Sequence, residues 1–232
     1  ETLKFVDTNL RAAKGGGYLD SLPERDSLRR QNPHMHLFEA LLALWSSSGD
    51  ERYLARAGEL FELFVRRFFL AETGVLGEYF DASLEPAIGT AGMVVEPGHH
   101  YEWVWLLRAF ERESGRNVQP YVDQLFAYAE AHGYDHAGLI VDETLSDGTH
   151  LTRSRRVWPM TEAIKANIAE ANEGREHSAA KAATLAMRLQ KHFLTPQAAG
   201  GWVDRIDPEG AAMVDFMPAS TFYHIASAID EL

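Results

Sequence analysis

Glu96-Pro97-Gly98-His99-His100-Tyr101-Glu102-Trp103-Val104-Trp105 opens a helix and loads its first turns with imidazole and carboxylate. Proline suits a first helical position because its missing N–H would have no partner there and its φ is already helical. Three further stretches begin in the same way, at Asn32-Pro33, Trp158-Pro159 and Met217-Pro218, and the four prolines are 64, 62 and 59 residues apart. Behind each of the first three comes an apolar-periodic run, then a polar break at 46–50, 113–117 and 170–174, then a second periodic run over 52–69, 119–132 and 175–193. Gly74, Gly138 and Gly201 follow their prolines by 41, 41 and 42 residues, and each opens a short stretch expected to be extended. The unit is therefore helix, turn, helix, glycine, short strand, and it repeats.

The same punctuation accounts for both ends. Gly15-Gly16-Gly17-Tyr18-Leu19-Asp20 resembles the strand segment of an earlier unit whose second helix covers 3–13, and 218–232 is a first helix without a second. Eight helices result. The expected fold class is all-α, an (α/α)6 toroid of helix hairpins that is incomplete, with about eight of twelve helices and short β-hairpin loops. Residues 1–232 are then a single domain, the C-terminal two-thirds of an α/α barrel, with about four helices upstream of Glu1. An open α-solenoid or a smaller bundle has the same repeat arithmetic.

Of the 232 residues, 46% are hydrophobic and 24% charged, enough to bury a sizeable core. The formal net charge of −12 disfavours nucleic acid or an anionic membrane as partner, since phosphate would repel the chain. The absence of cysteine removes disulfides and thiolate zinc sites and suits a cytoplasmic location. No apolar run approaches the roughly 20 residues that span a bilayer. A small sugar is the expected partner, together with either a second copy of the chain, as a homodimer, or a missing N-terminal segment.

If the first helices line the inside of a ring, their N-terminal turns surround one end of the cavity, and His36, His99, Glu102, Glu162 and His224 converge there. His36 and Glu39 are three apart, as are His99 and Glu102, so each pair shares a helix face and can hold a carboxylate against an imidazole. His34 and His36, two apart, cannot face one site from a regular helix, which also weakens a metal reading. His34, His100, His132, His136, His150, His177 and His192 read as caps or satisfied surface groups. Trp103, Trp105 and Trp202 read as core, and Trp158 either stacks on a sugar or fills a helix seam. A neutral histidine is well matched to taking a proton from a carbon beside a carbonyl near pH 7, and a second can return it. Three inward histidines favour proton transfer over the paired-carboxylate hydrolysis of glycosides. A helical scaffold that binds a peptide in its concave face without catalysis is the alternative from another class.

At Asn32-Pro33-His34-Met35-His36-Leu37-Phe38-Glu39-Ala40, Glu96-Pro97-Gly98-His99 with Glu102-Trp103, Arg156-Val157-Trp158-Pro159 with Glu162, and Tyr223-His224, the chain resembles the N-acylglucosamine 2-epimerase family, which includes cellobiose 2-epimerases and mannose isomerases. The resemblance implies an (α/α)6 barrel and a cytoplasmic sugar enzyme that needs neither metal nor cofactor. It implies that His99 and His224 exchange protons with the sugar through a cis-enediol and that Glu102 supports His99. Asn32, Met35, His36, Glu39, Arg156, Trp158 and Glu162 are the implied substrate-binding residues. The stretch 215–221 before Tyr223-His224 resembles the mannose-isomerase side of the family, so an aldose-ketose isomerase of the mannose/fructose type, with or without a phosphate on the sugar, is the expected activity. A 2-epimerase acting on an N-acyl-hexosamine or a disaccharide is the alternative. Family members are well over one and a half times as long, and the arginine and aromatics of their N-terminal hairpins have no counterpart here.

Overall fold

The computed structural model describes residues 1–24, 26–194 and 200–232. Among them are eight α-helices: α1 (Thr2–Asn9), α2 (Asn32–Ser48), α3 (Glu51–Leu63), α4 (Pro97–Ser114), α5 (Gln119–His132), α6 (Val157–Asn172), α7 (Ser178–Leu189) and α8 (Ala219–Glu231). The strands are two-residue pieces: β1 (Arg29–Arg30), β2 (Phe69–Leu70), β3 (Val75–Leu76), β4 (Tyr79–Phe80), β5 (Val94–Val95), β6 (Thr144–Leu145), β7 (Arg155–Arg156) and β8 (Arg205–Ile206). Two compact units result, one made of Glu1–Val95 with Ala109–Val118 and the other of Glu96–Arg108 with Gln119–Leu232.

The first unit is built on the α2–α3 hairpin. Pro33 lies in the first turn of α2, and the helix stops at Gly49, whose φ of 66° is the left-handed conformation that glycine adopts without penalty. Asp50 then caps α3, its carboxylate accepting from the Arg52 N–H at 3.1 Å. Met35, Phe38 and Leu41 of α2 and Ala57, Leu60 and Phe61 of α3 are buried. Aromatic contacts extend this core, with Phe38 and Phe61 on Phe110 at 5.4 and 5.1 Å and Phe68 on Phe80 at 5.3 Å. β1 pairs antiparallel with β4, and β2 with β3.

The second unit is organised around α6, in which thirteen residues, from Val157 to Glu170, are buried and only Ile168 of that span is not. A helix sealed on all sides is a central one. Its small residues Ala163, Ala166 and Ala169 admit close neighbours, and α7 and α8 pack against it. α8 turns Thr221, His224, Ile225 and Ala228 inward, the i, i+3, i+4, i+7 stripe of an amphipathic helix. β7 pairs antiparallel with β8 through Arg155↔Ile206 and Arg156↔Arg205.

The punctuation is displaced in places. Pro159 is the third residue of α6, and Pro218 is the N-cap of α8 at φ −65°, ψ 136°. The run 52–69 is α-helical only to Leu63 and then widens into a π-turn, Phe64–Phe68. After Gly138 only a lone bridge from Ile140 to Tyr134 forms, and after Gly201 the paired strand begins at Arg205.

His34 and His100, expected as caps or surface groups, are instead buried at 1% and 0% exposure, each within its own unit. His34 Nε2 accepts the Tyr18 N–H at 2.9 Å while Nδ1–H donates to the Arg30 carbonyl at 3.1 Å, so a second ring proton would point donor at donor. Gly17, at φ +65°, must lack a side chain because a Cβ would fall 2.4 Å from that Nε2. Burial, helped by the Arg29 charge, lowers the His34 pKa to about 4. Burial likewise lowers that of His100 to about 3, helped by His99 and opposed by the Glu96 carbonyl. An unfolded histidine titrates near 6.5, so these neutral rings contribute stability that is complete above that pH. It is lost as pH falls towards 4 and 3, at a cost on the order of 3 kcal/mol for His34. Denaturant unfolding at pH 7, 6 and 5 is expected to give steadily lower midpoints, and His34→Gln is expected to flatten that dependence.

Candidate active site

Six of the residues expected at the site lie in the second unit, on the N-terminal halves of α4, α6 and α8 and just before α6. His99 and Glu102 come from α4, Arg156 is the N-cap of α6, Trp158 and Glu162 stand in its first two turns, and His224 follows two turns behind Pro218. His224 Nδ1 and Glu162 Oε1 are 2.8 Å apart. The other carboxylate oxygen of Glu162 faces Lys165 Nζ at 2.8 Å, and neither residue of that ion pair has an exposed side chain. Glu102 completes the cluster, with one polar side-chain atom of each of Glu102, Glu162 and His224 within 4.8 Å of the others.

Both imidazoles rest on one indole. The Trp158 ring lies 4.9 Å from that of His99 and 5.6 Å from that of His224, centroid to centroid, at interplanar angles of 35° and 37°. His99 and His224 are 5% and 9% exposed, which leaves each a small opening. Gly98 makes the packing possible, because a Cβ there would meet the indole at 2.6 Å. The Arg156 guanidinium lies 5.1 Å over the same ring and is held by Glu96 Oε2 at 2.7 Å and Asp142 Oδ1 at 3.1 Å. Glu96 Oε2 is also 4.0 Å from His99 Nδ1, so one carboxylate serves both the arginine and the histidine.

Burial pushes the Glu162 carboxyl up, but the Lys165 ammonium and the hydrogen bond and charge of His224 outweigh it and hold the group below the usual carboxylate range. An ionised carboxylate can only accept, so the hydrogen at the 2.8 Å contact belongs to His224 Nδ1. The lone pair of the neutral ring is then on Nε2, the nitrogen that can act as a base.

The remaining expected residues belong to the first unit. Asn32 begins α2, Met35 is sealed in the core at 0% exposure, and His36 Nδ1 meets Glu39 Oε2 at 3.5 Å, the outer limit of a hydrogen bond. Three participants were not singled out from sequence. Lys165 stands three residues after Glu162, the same spacing that had paired His36 with Glu39, and was legible on that rule. Trp105, read as core, is half-buried; Lys165 Nζ sits 3.7 Å from its ring centroid and its N–H donates to Glu231 at 2.9 Å. Asp142 comes from an irregular loop, where no periodicity points to it. Trp103 is fully buried, as expected of a core residue.

Fold and cluster together define a helix-hairpin protein with paired, buried, carboxylate-backed imidazoles. The chain belongs to the N-acylglucosamine 2-epimerase (GlcNAc 2-epimerase) family, whose model matches residues 1–228. It is 41% identical over 210 residues to a mannose-6-phosphate isomerase of Rhizobium meliloti (strain 1021), an alignment covering 87% of this chain and 54% of that protein. The chain therefore spans about half the length of that relative. Among solved structures it superposes on a D-mannose isomerase with a TM-score of 0.84 at 23% identity, over 99% of this chain and 63% of the other. Cellobiose 2-epimerase from Spirochaeta thermophila DSM 6192 gives 0.80 at 20% identity, over 99% and 62%. These structural likenesses are of fold, and they bear out the all-α class of the (α/α)6 toroid expected from the repeat. No described helix is long and apolar enough to cross a membrane.

Proposed function

We propose that the protein carrying this chain interconverts an aldose and a ketose of the mannose/fructose type, with His224 and His99 as its proton-transfer groups. The observation that carries the reading is the hydrogen bond from His224 to a buried, ionised Glu162, with both imidazoles on the Trp158 indole. In an open-chain aldose the C2 hydrogen is acidified by the neighbouring aldehyde. One imidazole removes it, the electron pair moves through C1 to O1, and O1 takes a proton from the second imidazole to give a cis-enediol; the first imidazole then returns its proton to C1 while the O2 proton passes back to the second, leaving the ketose. The carboxylate behind His224 stabilises the imidazolium formed on the way. Arg156 and Glu102 are the proposed sugar-contacting groups of the second unit, and Trp158 fixes the spacing of the two rings. No metal or redox cofactor is needed for these steps.

The family description and the cellobiose 2-epimerase likeness support 2-epimerisation as the second reading, in which the proton returns to the opposite face of C2. Incubation of the protein with mannose in deuterated water separates the two. Fructose labelled at C1 is the expected product; glucose labelled at C2 would replace isomerisation by epimerisation, and unlabelled, unchanged mannose and N-acyl-hexosamine would end both.

A further inference from the structure

The first unit holds a pocket of about 240 Å³ whose lining includes none of the residues expected at the active site. Four guanidinium groups stand in its wall: Arg11 from the segment after α1, Arg56 from α3, and Arg66 and Arg67 from the π-turn that follows α3. Two of them are compensated, Arg56 by Asp7 Oδ1 at 2.6 Å and Arg67 by Glu85. Arg11 and Arg66 are exposed and make no ion pair or side-chain hydrogen bond among the described residues. Arg11 lies against the Tyr18 ring, 5.5 Å from its centroid. Glu59 is the one carboxylate of the described lining. Four cations therefore stand against Glu59, Asp7 and Glu85, a local excess of one positive charge on a chain whose net charge is −12.

The rest of the polar wall is backbone, Gly15-Gly16-Gly17. Arg29, only 4% exposed and outside the lining, collects the carbonyls of Lys14, Gly16 and Tyr18 at 3.1, 2.8 and 2.8 Å. In a trans peptide the N–H points opposite to the C=O, so the N–H groups of Gly15 and Gly17 turn away from Arg29. The three glycines have φ of 70°, 80° and 65°, a left-handed run in which successive amides face one concavity. Their N–H groups have no acceptor among the described residues.

We propose that this pocket is a phosphate site, taking either free phosphate or the phosphate end of a small ester. A tetrahedral oxyanion offers acceptors in several directions at once. The planar forks of Arg11 and Arg66 match two of its oxygens, the glycine N–H groups reach another, and Arg56 and Arg67, already aimed by their carboxylates, add to the field. The volume lies below the roughly 300–1,000 Å³ of sites for drug-sized ligands, so the occupant is small. The assignment is independent of the proton-transfer reading of His99 and His224.

Titration of the full-length protein with inorganic phosphate, with glycerol 3-phosphate and with chloride at matched ionic strength tests it. Glycerol 3-phosphate has no carbonyl and cannot be turned over as an aldose or ketose. Saturable binding by calorimetry, together with movement of the Gly15, Gly16 and Gly17 amide signals in NMR spectra of the unsubstituted protein, is the expected result for a phosphate compound and not for chloride. The tighter of the two phosphate ligands identifies the source. Arg66→Gln is expected to weaken binding by about 10–100-fold, the worth of a hydrogen bond to a charged group. Glu59→Gln, which removes the opposing carboxylate, is expected to tighten it. Arg66 is exposed, so the Arg66→Gln protein should keep the parental thermal midpoint without phosphate and lose the rise that phosphate gives the parent. Glycine amides that stay still under both phosphate compounds, a response to chloride equal to that to phosphate, or an affinity unchanged when Arg11→Gln and Arg66→Gln are combined would each overturn the assignment.

Discussion

His224→Gln is expected to lower kcat for both isomerisation and C2-proton exchange by about 10²–10⁴-fold, the contribution of a positioned general acid or base. Glutamine fills a similar volume and can still donate an amide hydrogen to Glu162, so the loss should come from chemistry rather than from collapse. Glu162→Gln is expected to cost nearly as much by a different route. It replaces the acceptor-only carboxylate that fixes the His224 tautomer at 2.8 Å by an amide that can also donate, and it leaves the buried Lys165 ammonium, 2.8 Å from the other oxygen, without a counter-charge. The two losses should not add, because each disables the same base. Rates of fructose formation and of deuterium uptake at C2 for the two single variants and the double decide this. Single variants within threefold of the parent would remove His224 from the mechanism, and fully additive losses would uncouple it from Glu162.

Prolines and glycines carried much of the legible fold, because each punctuates the backbone through a local steric rule. Pro33 and Gly49 frame α2 almost to the residue, and Gln119–His132 is a helix over the whole expected run. Where a tertiary contact sets the boundary, the rule slips. Pro159 sits inside α6 because Arg156 caps the helix from an extended conformation as its N–H donates to Asp142 at 2.8 Å, a partner fourteen residues earlier in a loop. The site was legible where function repeats from unit to unit: an imidazole or carboxylate in the turns after each proline. It was not legible where a residue comes from an irregular loop without a counterpart in the other repeats, as Asp142 does. Trp105 illustrates the ambiguity of aromatics, since the periodicity that marks a core tryptophan also marks one whose face holds a cation.

Arg108→Met is expected to be among the most destabilising substitutions in the chain, by about 3–5 kcal/mol, the cost of breaking a buried ion pair by removing one partner. Arg108 and Glu170 are 2% and 1% exposed and meet at 2.7 Å between Nε and Oε1. A second nitrogen of Arg108 donates to Gln119 Oε1 at 2.8 Å, so a single guanidinium ties α4 to the start of α5 and the end of α6. Methionine matches the stem of arginine but leaves the Glu170 carboxylate in a nearly dry site. Arg175, which reaches the other oxygen of Glu170 at 2.5 Å, stays in place and should keep the loss near the lower end of that range. The pairing of Arg108→Met with Glu170→Leu distinguishes a desolvation penalty from a packing defect. If the penalty is an unpaired buried charge, removing the carboxylate as well restores most of the stability, since a well-packed apolar pair can equal a buried salt bridge. If the defect is one of shape, the double variant is worse than either single. Urea midpoints at constant m measure both, and a single variant within about 1 kcal/mol of the parent would show that water already reaches Glu170.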